Sequence, residues 1–408
     1  MYTSRTNNGL WKCLMSKNPK TIFLIAGEDS GDTLGAELIN SIRNQPDGKD
    51  IELIGAGGQK MRKAGLKQLF DLTEHAVVGF WEVLKNYFKF RKLFQRLIDM
   101  AIKNEPEVIV LIDYPGFNLR FARAIRNHQR QGTGAFKKWQ PKIIAFVSPQ
   151  IWAWKENRLK QITADFDLML SIFPFEKNWY AERAPKFAVE FVGHPLVDRF
   201  SERNTENQIT TSNPDLFSEY PEILLLPGSR RREVEKHLPT MLEAVAMIAN
   251  ELKVKIRIVL SNEEMLNLAR KIIPTGTEIY MQVGQLDKAL NEASLTIASS
   301  GTVTMECAWF KVPTVVLYKT SFFTYTIGKF LIKTDYLAMP NILANKEIFP
   351  EFIQNEANPD NITKAGLRLL KDKSERQKIL TSLENIANQL GEPGATYRAS
   401  KHILDLIN

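Results

Sequence analysis

The sequence has little of what staples or anchors a chain. Its 408 residues include two cysteines, Cys13 and Cys307, far apart. They cannot form a disulfide framework or a thiolate metal site, so a reducing cytosol is the default expectation. The five histidines (His75, His128, His194, His237, His402) show no ligand spacing. No structural zinc is therefore expected. No apolar run reaches the roughly 18 residues needed to span a bilayer. Residues 1–20 lack the apolar segment of a signal peptide and read as a polar tail, with Met15 as an alternative start. There is no solenoid-period repeat. A hydrophobic share of 44% and a charged share of 25% exclude a disordered or collagen-like chain.

Charge is present in excess of one sign. Lys and Arg number 54 against 46 Asp and Glu, a net +8. That suits an anionic partner: nucleic acid, a membrane face or a phosphorylated ligand. No RNA- or DNA-binding motif accompanies it, so nucleic acid is not expected.

The chain repeats one pattern. A short apolar run (TIFLIA, 21–26) leads into GEDSGD and then a helical stretch. IELIGAGG, EVIVLIDYPGFN and KIIAFVSP follow the same way, and the pattern restarts after a polar stretch at 198–220 with EILLLPGSRRREV, KIRIVLS, EIYMQV, LTIASSGTVTMECA and TVVLY. Alternating strands and helices predict an α/β fold with parallel sheets flanked by helices. The reading is a domain over 21–197, a linker over 198–220, a second domain over 221–385 and closing helices over 386–408, broken at GEPG (391–394). Ligands of such sheets gather at the carboxyl ends of strands, where the glycine-rich and polar loops fall.

Each loop has a functional and an ordinary reading. Pro227-Gly228-Ser229-Arg230 precedes a helix, and backbone N–H groups with Arg230, Arg231 and Arg232 suit a phosphate; a solvated helix start is the alternative. Ser300-Gly301-Thr302 opens a second helix, with Glu306 one turn on. A carboxylate there could accept both hydroxyls of a ribose, or simply cap the first turn. Asp113 ends a buried strand, as a general base would, or as an Asx turn before Pro115 would. GEDSGD, with Glu28, Ser30 and Asp32, and GAGG (55–58) are glycine turns without the GxGxxG dinucleotide fingerprint. Trp152, Trp154, Lys155 and Arg158 suit a sugar or phosphate, or packing; His194 suits a ligand, or packing.

Residues 80–98 predict an amphipathic helix. Phe80, Leu84, Tyr87, Phe94 and Ile98 form one stripe, and Lys85, Lys89, Lys92 and Arg96 another. Trp81, Phe88 and Phe90 add aromatic surface. An anionic membrane face suits this pattern; an ordinary helix on a sheet is the alternative. SFFTYTIGKFLIK (321–333) is a second membrane candidate.

Taken in order, AGEDSGDTLGAELI, IGAGGQKMRKAG, VVGFWEVL, IDYPGFNLRFA, VSPQIWAWK, FPFEKNWY, FVGHPLVD, LLPGSRRREV, SSGTVTMECA and KTDYLAMPNILANKEIFPE make the sequence resemble the lipid-A-disaccharide synthases. The resemblance implies a GT-B architecture, two facing Rossmann-like domains with the C-terminal helix returning to the first. It implies an inverting glycosyltransferase, with UDP-2,3-diacylglucosamine as donor and 2,3-diacylglucosamine 1-phosphate as acceptor. The products would be a β-1,6 disaccharide phosphate and UDP, made at the inner face of the cytoplasmic membrane. By motif, the resemblance implies catalytic residues at Asp113 (the base), Arg230 (the essential arginine) and Asn341 (the asparagine of the LPN motif), with Ser300, Gly301, Thr302 and Glu306 on the nucleotide side and no metal or cofactor; Glu28, Ser30, Asp32 and Ser229 are the further expected substrate contacts. Gly116, Gln150 and Asn345-Lys346 depart from the common Asp, Ser and Gly-Arg. Other GT-B sugar-nucleotide enzymes, such as 2-epimerases, and a non-enzymatic lipid-binding protein are the alternatives. A second copy of this chain, as a homodimer, is a candidate partner.

Overall fold

The computed structural model describes residues 20–72, 87–131, 139–207, 220–320 and 334–407. The chain divides into two compact units: Met1–Pro149, Asn157–Asp198 and Glu392–Asn408 form one, Gln150–Glu156 and Arg199–Gly391 the other.

In the first unit the chain runs β1 (Thr21–Ala26), α1 (Asp29–Asn44), β2 (Glu52–Gly57), α2 (Gln59–Lys63), β3 (Lys67–Asp71), α3 (Tyr87–Asn104), β4 (Val108–Ile112), α4 (Pro115–Gln131) and β5 (Lys142–Phe146). After α5 (Ile151–Trp154), which groups with the second unit, come α6 (Leu159–Asp165), β6 (Leu168–Ser171), α7 (Pro174–Arg183), β7 (Ala188–Phe191) and α8 (Pro195–Asn207), of which the residues after Asp198 group with the second unit. The seven strands lie in the order β3-β2-β1-β4-β5-β6-β7, every pair parallel. Central strands such as β4, Val-Ile-Val-Leu-Ile, are buried throughout because helices cover both faces.

The second unit contains β8 (Glu222–Leu226), α9 (Arg231–Glu251), β9 (Lys255–Leu260), α10 (Glu263–Ile272), β10 (Tyr280–Val283), α11 (Leu286–Glu292), β11 (Leu295–Ser299), α12 (Val303–Trp309), β12 (Thr314–Tyr318), α13 (Met339–Ala344), β13 (Glu351–Ile353), α14 (Pro359–Lys371) and α15 (Lys373–Gln389). Its six parallel strands are ordered β10-β9-β8-β11-β12-β13.

The last helix, α16 (Ala395–Asp405), belongs to the first unit. Asp198 caps it: its carboxylate accepts the backbone N–H of Gly394, Ala395 and Thr396 at 2.7–3.0 Å. Ala399, Ile403 and Leu404 then join Leu38 and Ile42 of α1 in one core. Arg398 Nε donates to the Val192 carbonyl at 2.8 Å, and the Ser41 and Ser400 hydroxyls meet at 2.8 Å. A polar break followed by an amphipathic helix thus lets the chain end return to the unit where it began.

Both sheets reverse direction of growth once, between β1 and β4 and between β8 and β11. Such switch points open a crevice beyond the carboxyl ends of the strands. Register places the loops there. Ala26 is level with Ile112, so Gly27 and Asp113 leave adjacent strand ends. Ala298 is level with Leu226, so the loops beginning at Pro227 and Ser300 leave adjacent ends of the other sheet.

The C-terminal part of the amphipathic helix is α3. Leu93, Leu97, Ile98 and Ala101 are buried, while Lys92 and Arg96 are exposed. Phe94 packs edge-on against Phe117 and Phe121, with centroids 5.3 and 6.2 Å away. Phe94 and Ile98 are therefore packing residues, and the ordinary reading holds for this part of the stripe. Phe80, Trp81, Leu84 and Lys85, with the candidate at 321–333, lie outside the described residues, as do the side chains of Tyr87, Phe88 and Lys89. Among the described residues no helix is long and apolar enough to cross a membrane.

Candidate active site

At the first switch point the chain leaves β4 through Asp113 and Tyr114, both left-handed, with φ of 48° and 47°. Non-glycine residues in that region are strained, by about 1–3 kcal/mol each. Local bonds hold the turn. Asp113 N–H donates to the Phe146 carbonyl at 2.7 Å. The buried Asn118 donates its side-chain amide to the carbonyls of Ile112 and Asp113. The Tyr114 ring lies over Gly27, where a Cβ would come 2.3 Å from the ring, so glycine permits that close approach. The result holds the Asp113 side chain half-buried, with the exposed Ser30 hydroxyl donating to its Oδ2 at 3.2 Å. A partly exposed carboxylate on a braced turn can accept a proton from a substrate hydroxyl.

Glu28 is half-buried at the start of α1. Asp32 lies inside the same helix and is buried, and its two oxygens accept the backbone N–H of Gly58, Lys60 and Met61 at 2.7–3.1 Å. It caps the start of α2. Both oxygens are engaged, and Asp32 shapes the GAGG turn. The residue expected to contact substrate is thus one whose carboxylate caps a neighbouring helix.

At the second switch point Arg230 is the N-cap of α9, half-buried, and Ser229 is exposed. Two of the backbone N–H groups that the sequence offers to a phosphate are engaged within the loop. Those of Ser229 and Arg230 donate to Glu233 Oε2 at 3.1 and 3.3 Å. The buried His237 accepts the Lys319 N–H on Nε2 at 3.0 Å, which leaves its Nδ1–H to donate to the Pro227 carbonyl at 2.9 Å. Burial pushes the His237 pKa down, against its hydrogen bond to Pro227 and the nearby Glu233, so the ring is neutral.

The neighbouring loop offers hydroxyls. Ser300 N–H donates to the Leu317 carbonyl at 3.2 Å, Gly301 and Thr302 are exposed, and Glu306 is half-buried on α12. That helix has seven residues, so its end contributes little dipole. Ser300 and Thr302 lie in the loop that leaves the strand end next to that of the Arg230 loop, with Glu306 one turn along α12.

Asn341 was expected to be catalytic. It is fully buried, and its amide is saturated. Nδ2 donates to the Phe349 carbonyl and Glu351 Oε1 at 2.8 and 2.6 Å, and Oδ1 accepts from the N–H of Ile348 and Phe349 at 2.8 and 2.9 Å. Glu351 also accepts the N–H of Leu337 and Ala338 at 2.7 and 2.8 Å. Burial pushes the Glu351 carboxyl up, opposed by those hydrogen bonds. In this structure Asn341 ties the turn after α13 to β13 and has no bonding capacity left for a substrate. Sequence reasoning also passed over its partner Glu351, together with Asn118, Glu233 and His237. Only Glu233 carried a signal, a glutamate three residues after an N-cap position.

The departures from the family pattern have local explanations. Asn345 caps α13 with φ of 49°, a place that favours glycine and tolerates asparagine. Lys346 Nζ donates to the Ser382 hydroxyl at 3.1 Å, and Gln150 Nε2 lies 3.4 Å from Met339 Sδ. Gly116 is exposed, with open space where a side chain would stand. Trp152 is half-buried, the Trp154 side chain lies outside the described residues, and His194 Nδ1 accepts the Leu196 N–H at 3.2 Å, a capping role. Cys307 is buried, which pushes its thiol up to about 12 and makes it inert.

A family model described as lipid-A-disaccharide synthetase matches residues 22–404. Lipid-A-disaccharide synthase 1 of Legionella pneumophila is 33% identical over 399 residues, 96% of this chain and 97% of its own. The lipid-A-disaccharide synthase of Coxiella burnetii is 35% identical over 392 residues, 95% and 99% of the two chains. Among solved structures, the S. aureus MnaA–UDP co-structure matches with a TM-score of 0.61 at 15% identity, over 95% of this chain and 97% of that one. The glycotransferase of kitacinnamycin matches at 0.61 and 14%, over 96% and 100%. Those structural likenesses show the fold, two Rossmann-like domains of the GT-B kind. The sequence likeness runs through both units and both switch points, and the chain belongs to the lipid-A-disaccharide synthase family of glycosyltransferases.

Proposed function

We propose that this glycosyltransferase joins UDP-2,3-diacylglucosamine to 2,3-diacylglucosamine 1-phosphate in one inverting displacement, with Asp113 as the base. The observation that carries the reading is the Asp113 carboxylate, half-exposed on its braced turn beyond β4 and touched by Ser30. The acceptor 6-hydroxyl attacks the anomeric carbon of the donor. Its proton passes to Asp113 as the new C–O bond forms. The bond from the anomeric carbon to the diphosphate breaks on the opposite side, and UDP leaves with the electron pair. Arg230 offsets the negative charge that grows on the departing phosphate, worth about 10²–10³ in rate for such a group. Ser300, Thr302 and Glu306 serve the nucleotide: Glu306 is the acceptor for ribose hydroxyls and the two hydroxyls are donors to phosphate oxygens. Asn341 and Asp32 act by holding loops.

The two acyl chains of each substrate belong in a bilayer. The stretch at 80–89, with Phe80, Trp81, Leu84, Tyr87 and Phe88 beside Lys85 and Lys89, is the surface we assign to an anionic inner-membrane face. Replacing Phe80, Trp81 and Leu84 by Ser is expected to release the protein from anionic vesicles; unchanged sedimentation would remove the assignment.

The reaction itself is tested with purified protein in detergent micelles, following UDP release and the lipid product by mass, with Asp113→Asn alongside. Acceptor-dependent UDP release with a disaccharide product, lost in the variant, supports the reading. UDP release without acceptor points to a hydrolase or epimerase and overturns it.

A further inference from the structure

We infer that Glu233 is a positioning residue for Arg230, holding the Pro227–Arg230 loop from the first turn of the helix the loop introduces. The inference rests on the reading that Arg230 acts on the leaving diphosphate. Glu233 Oε2 gathers the backbone N–H groups of Ser229 and Arg230 at 3.1 and 3.3 Å. Its other oxygen, Oε1, lies 3.8 Å from Arg230 Nη1. The carboxylate therefore sets both the backbone of Arg230 and the region its guanidinium occupies.

The loop is folded onto this carboxylate. Gly228 has φ of 124°, and a Cβ there would come 2.4 Å from Glu233 Oε2 and 2.6 Å from Glu233 Cβ. Only glycine allows that closeness. One helical turn further along α9, His237 fixes the Pro227 carbonyl. Two side chains at i and i+4 lie on one helix face, so together they pin the backbone from Pro227 to Arg230.

Electrostatics argues against a direct role for Glu233 in binding the donor. A carboxylate beside a diphosphate site repels the ligand. The ion pair with Arg230 is partly exposed and contributes little by itself. What remains is geometry. A loop already ordered loses no further freedom when the donor arrives, and an arginine already aimed costs no reorganisation as charge develops.

The test is a double-mutant cycle on the full-length enzyme in micelles: Glu233→Ala, Arg230→Ala and both together, with kcat, donor KM and calorimetric affinity for UDP. A misplaced charge-stabilising group is expected to lower kcat by about 10- to 100-fold in Glu233→Ala. UDP affinity changes little, Glu233→Gln recovers most of the rate because its amide oxygen still accepts both N–H groups, and the double variant is no slower than Arg230→Ala. Wild-type kcat in Glu233→Ala, tighter UDP binding with kcat unchanged, or losses that multiply in the double variant would each overturn the inference. Full turnover in Arg230→Ala would instead overturn the reading beneath it, a separate outcome. Should Glu233→Ala not fold, Glu233→Asp takes its place. Its shorter side chain draws the acceptor away from the loop, and it is expected to lose kcat where Glu233→Gln does not.

Discussion

At the end of β4 the chain turns through two non-glycine residues, Asp113 and Tyr114, whereas at the end of β8 it turns through Gly228. The same strand order and the same kind of switch point are built with opposite backbone choices. The carboxylates differ in the same sense. Among the described residues Asp113 takes one hydrogen bond on its carboxylate, from Ser30, and keeps its remaining lone pairs. Glu233 turns inward and accepts two backbone N–H groups. A group that must change its proton during a reaction needs free lone pairs and a firm backbone. A group that holds a loop needs its lone pairs engaged. The first unit therefore carries strain under its carboxylate, braced by Asn118, and the second uses glycine to let its carboxylate come close.

The largest expected effect breaks this contrast at its reactive ends. Asp113→Ala should lower kcat by about 10²–10⁴, the range of a lost general base, and Arg230→Ala by about 10²–10³. Both proteins should keep the wild-type circular dichroism, since neither side chain is buried. Near-wild-type turnover from either would remove that residue from the mechanism.

Asn341→Ala tests the second unit's saturated interior. It leaves the N–H groups of Ile348 and Phe349 without acceptors and takes one donor from Glu351. The expected cost is about 2–4 kcal/mol. Amide exchange should quicken around 337–353 while the Asp113 turn stays protected. If exchange is unchanged there and only kcat falls, Asn341 touches substrate after all.

His237 supplies a pH test. The unfolded imidazole binds a proton near 6.5, whereas in the fold burial holds the ring neutral. The native state thus binds fewer protons. The contribution of His237 is complete above the unfolded value and declines as pH falls through the depressed folded value. Urea midpoints should drop on the acid side, and His237→Gln should flatten that limb. An equal slope in the variant would assign the acid loss to other groups.

The smallest effect is at Asn345, left-handed at the end of α13. Asn345→Gly should stabilise by about 0.5 kcal/mol, as glycine is preferred there. A loss in thermal midpoint would mean that the asparagine side chain holds something the backbone angle does not explain.

The buried strands could be read from the sequence because a parallel strand covered on both faces is a continuous apolar run, as in TIFLIA or EVIVLI. β3, Lys-Gln-Leu-Phe-Asp, and β13, the three residues Glu-Phe-Ile, are half-exposed edge strands too mixed or too short to form such a run. The loops that hold Asp113, Arg230 and Ser300 could also be read, because each follows an apolar run and carries glycine or proline. Their partners could not. Asp32 looked like one more acid in a polar loop, yet its oxygens cap a helix that begins at Gln59.

Local chemistry alone therefore determined where strands end and which loops could carry reaction chemistry, because apolar runs and turn residues act over a few neighbouring positions. Whether a polar side chain in those loops faces solvent or closes on the backbone was decided only in three dimensions. Asn341 and Glu351, Glu233 and Ser229, and Asp198 and Gly394 are joined by hydrogen bonds that exist only once the elements carrying them have packed. A polar atom buried by that packing must find whatever partner the fold places within about 3 Å.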